Sequence, residues 1–154
     1  MNDQKKLYWT KDAFSYNHSI FSGKELVGEI KDKSLDRSVK ARLFHKNYLF
    51  EKTGFIKTRI QIFDITDRKK MGVIDFKMFS SRAVITLRNS TDRYLWKFQH
   101  SLTRRWTVIN LEGKQLLSGK SRKEGYVHLS DEHSALLLLS ALVIRNHQAM
   151  MGYL

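Results

Sequence analysis

From Phe14 to Leu129, short apolar-rich runs alternate with turn chemistry at intervals of about ten residues, a rhythm that predicts many short strands in a sandwich or barrel. Within the runs the alternation has period two. Over Phe55 to Phe63, Ile56, Thr58, Ile60 and Ile62 fall on one face and Lys57, Arg59 and Gln61 on the other. Ala83, Ile85 and Leu87 share a face in the same way, as do Tyr94, Trp96 and Phe98. Each segment reads as a half-buried strand.

Three hairpin-like units repeat the order apolar pair, polar turn, basic residue, apolar residue, glycine. They run from Ile20-Phe21 to Gly28, from Ile62-Phe63 to Gly72, and from Val108-Ile109 to Gly119. The polar turn returns the chain. A glycine after the apolar residue suits a bulge or a close backbone approach where a curved strand bends. Repeated bending of this kind predicts a sheet that curls far enough to close.

One helix is predicted over 131–150, capped near Ser130 or Asp131 and ending at about Met150, with Glu132 favourable at the positive end of the dipole. Its middle, Ala135 to Ile144, is apolar all the way round and leaves no face for water. Such a stretch spans only about 15 Å, half of a bilayer's hydrocarbon core, and His133, Arg145, Asn146 and His147 flank it. A buried helix is therefore expected rather than a transmembrane one, and the economical arrangement puts it in the lumen of the curled sheet. A mostly β, closed antiparallel barrel around one apolar C-terminal helix is the predicted fold.

Composition adds scale and partners. A chain of 154 residues, 42% hydrophobic, is expected to form a single domain over 1–154 around one core. No cysteine is present, which excludes disulfides, thiolate zinc sites, iron–sulfur clusters and a cysteine nucleophile. Met1 to Lys11 is polar and basic with no apolar run behind it, so a cytoplasmic location is expected, with a peripheral position at the membrane as a variant. Lys and Arg number 28 against 15 Asp and Glu, a formal charge of +13 that favours polyanionic partners: nucleic acid, anionic lipid head groups or acidic proteins.

The repeated unit from Gly23 to Gly28, the strand Tyr94-Leu95-Trp96-Lys97-Phe98 followed by Trp106-Thr107-Val108-Ile109-Asn110, and the apolar terminal helix together resemble the tubby-like barrel superfamily. That group includes the tubby C-terminal domain, the LURP-one-related proteins and the phospholipid scramblases, and the resemblance runs from about Phe14 to Ile144. It implies a closed barrel of about twelve strands around a central helix. It also implies phosphoinositide binding through basic surface residues, as in the tubby domain. Scramblase chemistry is not implied, because this chain has neither cysteines to acylate nor an acidic cluster with calcium-ligand spacing.

No catalytic motif is found. Gly119-Lys120-Ser121 resembles the end of a phosphate loop, but Lys114 stands where the first glycine is needed and a strand rather than a helix follows. The six histidines, His18, His45, His100, His128, His133 and His147, are scattered without metal-site spacing. Asp64, Asp67 and Asp75 are expected to serve a turn and strand ends. No nucleophile elbow occurs, and neither a cofactor nor a metal is expected. Basic clusters remain: Arg68-Lys69-Lys70 at a turn, Arg104-Arg105 entering a strand, and Lys120, Arg122 and Lys123 around the next loop. Gathered on one rim, they would supply charge-assisted bonds to clustered phosphates. The expected function is a non-enzymatic binding or scaffold module for anionic phospholipid, with nucleic-acid binding and a structural or protein-interaction role as alternatives. Trp96 is expected in the core between Tyr94 and Phe98, while Trp9 and Trp106 are left as candidates for stacking bases or sitting at a membrane interface.

Overall fold

The computed structural model describes residues 5–33, 36–54, 58–77, 80–88, 93–99, 104–120, 124–129 and 132–154. Twelve strands form first: β1 (Lys5–Lys11), β2 (His18–Ser22), β3 (Glu25–Lys31), β4 (Ser38–Leu43), β5 (Lys46–Thr53), β6 (Arg59–Asp64), β7 (Lys69–Phe76), β8 (Ala83–Leu87), β9 (Arg93–Gln99), β10 (Arg105–Asn110), β11 (Gln115–Lys120) and β12 (Glu124–Leu129). The helix α1 (Glu132–Met150) follows. All twelve strands belong to one antiparallel sheet in the order β11-β10-β9-β8-β7-β6-β5-β4-β3-β2-β1-β12.

The inward faces are those the alternation predicted. Ile60 and Ile62 on β6, Ala83, Ile85 and Leu87 on β8, and Trp96 and Phe98 on β9 are buried, while Arg59 is exposed. Ile56 and Lys57, assigned to the same alternation as Ile60, lie outside the described residues. Facing these side chains is α1, whose residues from Ala135 to Ile144 are all buried, Leu138 at 0% exposure. Beyond the apolar stretch Arg145 is half-buried, while Asn146, His147 and Gln148 are buried. A helix buried all round needs a sheet that wraps it, since one flat layer would cover a single face.

The three repeated units supply the wrapping. Register shifts fall between Ile20 and Phe21 on β2, between Ile62 and Phe63 on β6, and between Val108 and Ile109 on β10, four strands apart each time. Gly28 and Gly72 lie opposite the first residue of their bulges, Ile20 and Ile62. Added Cβ atoms there would sit 2.6 Å from Arg42 O and 2.5 Å from Thr86 O, so only glycine admits the neighbouring strand. The third unit differs. Leu117 takes the place opposite Val108, and Gly119 stands opposite Trp106, where a Cβ would come within 2.4 Å of that indole and 2.7 Å of Trp9.

The sheet does not close into the barrel that the sequence predicted. Its hydrogen-bonded order ends at β11 on one side and β12 on the other, and no ladder joins the two among the described residues. Large side chains pack the interior near these two ends. Trp9 from β1 stacks on Trp106 from β10, ring centroids 5.8 Å apart, and Gly119 of β11 packs against both. Indoles of this size fill the interior where the ends of the sheet converge. A closing ladder would need the last two strands at about 4.8 Å in matched register. No helix among the described residues is long and apolar enough to cross a membrane.

Candidate functional site

Because neighbouring strands are antiparallel, their connections alternate between two ends of the sheet. Tight turns at 23–24, 44–45, 65–68 and 111–114 gather at one end; the strand ends at Lys11 and His18, Lys31 and Ser38, Thr53 and Arg59, Phe76 and Ala83, and Gln99 and Arg105 gather at the other. The helix runs from the first end to the second, since β12 delivers the chain to the tight-turn end.

This geometry divides the basic clusters. Arg68, Lys69 and Lys70 stand at the tight-turn end, exposed, where Asp64 builds the turn by accepting the backbone N–H groups of Thr66 and Asp67 at Oδ1, 2.9 and 3.2 Å away. Acids accompany these cations: Lys69 is the register partner of Asp64, whose Oδ2 is also 4.0 Å from Lys46 Nζ. Arg104, Arg105 and Lys120 stand at the opposite end. Arg122 and Lys123, assigned to the same cluster, lie outside the described residues. A single rim holding all of these cations, as the sequence suggested, is therefore not formed.

At the long-loop end the register sets cation against cation. Arg105 on β10 is the partner of Lys120 on β11, and Lys31 on β3 is the partner of Lys40 on β4. Like charges directly opposite on adjacent strands are destabilising. Arg104 adds a second feature, a φ of 44° that a side-chain-bearing residue rarely adopts. Lys33, Lys77 and Arg82 occupy neighbouring connections at this end. Arg59 is neutralised there, its Nε 2.7 Å from Asp75 Oδ1, which gives Asp75 the strand-end role expected of it.

Beneath this rim lies a buried polar cluster that the sequence reading missed. Asn146, fully buried near the end of α1, donates through Nδ2 to Tyr16 O at 2.8 Å and to Asp32 Oδ2 at 3.1 Å, and accepts at Oδ1 from Arg145 Nη1 at 3.1 Å. Asn17 Oδ1 accepts the Asp32 backbone N–H at 2.8 Å, and His18 Nδ1 is 3.1 Å from Tyr16 O. Lys52 Nζ faces Asp32 Oδ1 at 3.9 Å, an ion pair without a hydrogen bond. Burial raises the Asp32 carboxyl above the ordinary carboxylate range, against the opposing pull of Lys52 and Asn146. Burial also lowers His18 to about 3, with Arg145 and Lys11 acting in the same direction, and lowers His147 to about 4, with Lys52 assisting. The His147 ring packs 4.2 Å from that of Phe76, so both histidines are neutral core groups at neutral pH. The legible signal was Asn146 itself: an amide on a helix buried on all sides must find partners.

No group of metal-ligating side chains is found among the described residues. Trp9, Trp96 and Trp106 are all buried, which removes the indoles as stacking platforms. What the site does offer is an array of cations on a rim fastened to the helix from below. Searches of family models, curated proteins and solved structures found no match to this chain.

Proposed function

We propose that this chain is a non-enzymatic binding module that takes anionic phospholipid head groups at its long-loop end, through Arg104, Arg105 and Lys120 and with the connection carrying Arg122 and Lys123 as a contributor. It would act peripherally at the cytoplasmic face of a membrane. The observation that carries this reading is the register of β10 on β11, in which Arg105 is the partner of Lys120. A bound phosphate turns that repulsion into two charge-assisted contacts. At the tight-turn end, Lys69 already faces Asp64. The likeness to tubby-like proteins, with its three hairpin units and enclosed helix, belongs to the same proposal.

Co-sedimentation with phosphatidylcholine vesicles containing phosphatidylserine tests it, at about physiological salt where the Debye length is roughly 8 Å. The triple variant Arg104→Gln, Arg105→Gln, Lys120→Gln is expected to lose most of the binding. The triple variant Arg68→Gln, Lys69→Gln, Lys70→Gln is expected to retain it. Equal losses in the two variants would show binding by net charge alone and overturn the assignment.

A further inference from the structure

Phe14 is 99% exposed, on the segment that joins β1 to β2 at the long-loop end. A solitary exposed apolar residue is ordinary on a protein surface. This one is presented by a segment held with unusual thoroughness. Asp12 N–H donates to Asn17 O at 3.0 Å, Ser15 Oγ donates to Asp12 Oδ2 at 3.0 Å, and Asn17 N–H donates to Ser15 Oγ at 3.1 Å. From outside, Asn146 of α1 holds Tyr16 O and the Asp32 backbone holds the Asn17 side chain. Lys11 Nζ donates to Asp12 O at 2.9 Å and lies 5.4 Å from the centre of the Tyr16 ring. The backbone that carries Phe14 is thus held in place, and its ring stands outward in solvent.

Its neighbours define what it meets. Trp9 of β1 stacks on Trp106 of β10 across the interior, and the Phe14 segment, which follows β1, shares the long-loop end with Arg104 and Arg105 at the start of β10. Met151, 59% exposed, emerges from the end of α1 at the same end of the sheet. An outward apolar side chain at the end of the sheet that carries these cations matches the interface of an anionic bilayer, where head groups neutralise the cations and the acyl boundary receives the ring. We infer that Phe14 is a membrane-inserting side chain, and that the ligand of the basic rim is an anionic bilayer surface rather than a soluble phosphate or a nucleic acid.

The inference rests on the lipid reading above, and three substitutions at position 14 separate the two. Phe14→Ala is expected to weaken pelleting with the phosphatidylserine vesicles roughly tenfold, about 1.4 kcal/mol. Phe14→Leu, which keeps apolar surface but cannot stack on a base, is expected to stay within about threefold of the parent. Phe14→Trp is expected to gain fluorescence that brominated lipids in the vesicles quench, measured as a difference from the parent protein with its three buried indoles. All three should keep the parent's Tm, since the ring is almost wholly exposed. If Phe14→Ala pellets like the parent while the Arg104, Arg105 and Lys120 variant does not, the insertion is wrong and the head-group site stands. If that triple variant pellets undiminished, the site itself fails. A loss shared by Phe14→Ala and Phe14→Leu, together with equal loss of binding to a single-stranded oligonucleotide, would replace insertion by base stacking.

Discussion

At Arg104 the backbone and the charge make separable demands. A φ of 44° costs an ordinary residue of order 1 kcal/mol, and glycine adopts it freely. Arg104→Gly is therefore expected to hold or raise the Tm while weakening the pelleting of anionic vesicles, whereas a purely structural arginine would show the reverse, a lower Tm with binding intact. Gly72 makes the opposite kind of demand. A methyl group there would lie 2.5 Å from the carbonyl oxygen of Thr86, on a strand that cannot retreat without breaking its ladder. Gly72→Ala should cost about 1–3 kcal/mol in urea denaturation, the usual range for overpacking a tight site. Gly113, whose φ of 82° already lies in the glycine region and whose Cβ direction is empty, contrasts with it as a site of strain without collision.

Among elements, the helix carries the greatest weight. Leu138 is fully enclosed, so Leu138→Asp places an unpaired charge in the core and is expected to abolish folding, seen as loss of cooperative melting by circular dichroism. Leu138→Ala leaves a cavity and should cost about 2–5 kcal/mol. Asn146→Leu keeps the volume but strands the Asp32 carboxylate and the Tyr16 carbonyl; a loss of about 1–3 kcal/mol or more is expected, with faster amide exchange at Asn17 and Asp32 than elsewhere. Uniform exchange across the molecule would mean that Asn146 is not the fastening point. How much of this was legible in the sequence differs by element. The inward faces of β6, β8 and β9 and the run from Ala135 to Ile144 follow from periodicity alone, because burial is what periodicity encodes. The bends at Ile20, Ile62 and Val108 were announced by glycines and basic turns. Closure was not legible, since a pattern of faces says which way side chains point but not whether β11 and β12 find a common register. The polar cluster was hidden for a related reason: Asp32 and Asn146 lie 114 positions apart, and only the topology brings them together at one end of the helix. The same topology separates Arg68 from Arg104, which sequence proximity to a turn could not foresee.

For the molecule as a whole, the buried histidines set the response to acid. Burial lowers His18 to about 3 and His147 to about 4 in the folded protein, against the ordinary imidazole value of about 6.5 in the unfolded chain. Between these values the unfolded chain binds protons that the folded one refuses, so stability is complete above about pH 6.5 and declines as the pH falls toward the folded values. Asp32 acts the other way. Its raised folded pKa means that the native state takes up a proton before the unfolded chain does, which relieves part of the loss at the acid end. The net uptake on unfolding near pH 5 is then between about one and two protons, a slope of roughly 1.4–2.7 kcal/mol per pH unit. Urea midpoints measured from pH 7 to pH 4 should show it. His147→Leu, which keeps an apolar contact with Phe76, is expected to remove about one proton from the slope, and Asp32→Asn to steepen it at the acid end. A slope unchanged by His147→Leu would mean that the imidazole is charged in the native state. Packed between Phe76 and a helix surrounded on all sides, with Lys52 nearby and Asp32 already engaged by Asn146, that charge would have no counter-ion to accept it. Acid sensitivity and a fastened rim thus meet at one end of one enclosed helix, where Asn146 holds Tyr16 and Asp32 and the adjacent His147 is buried against Phe76.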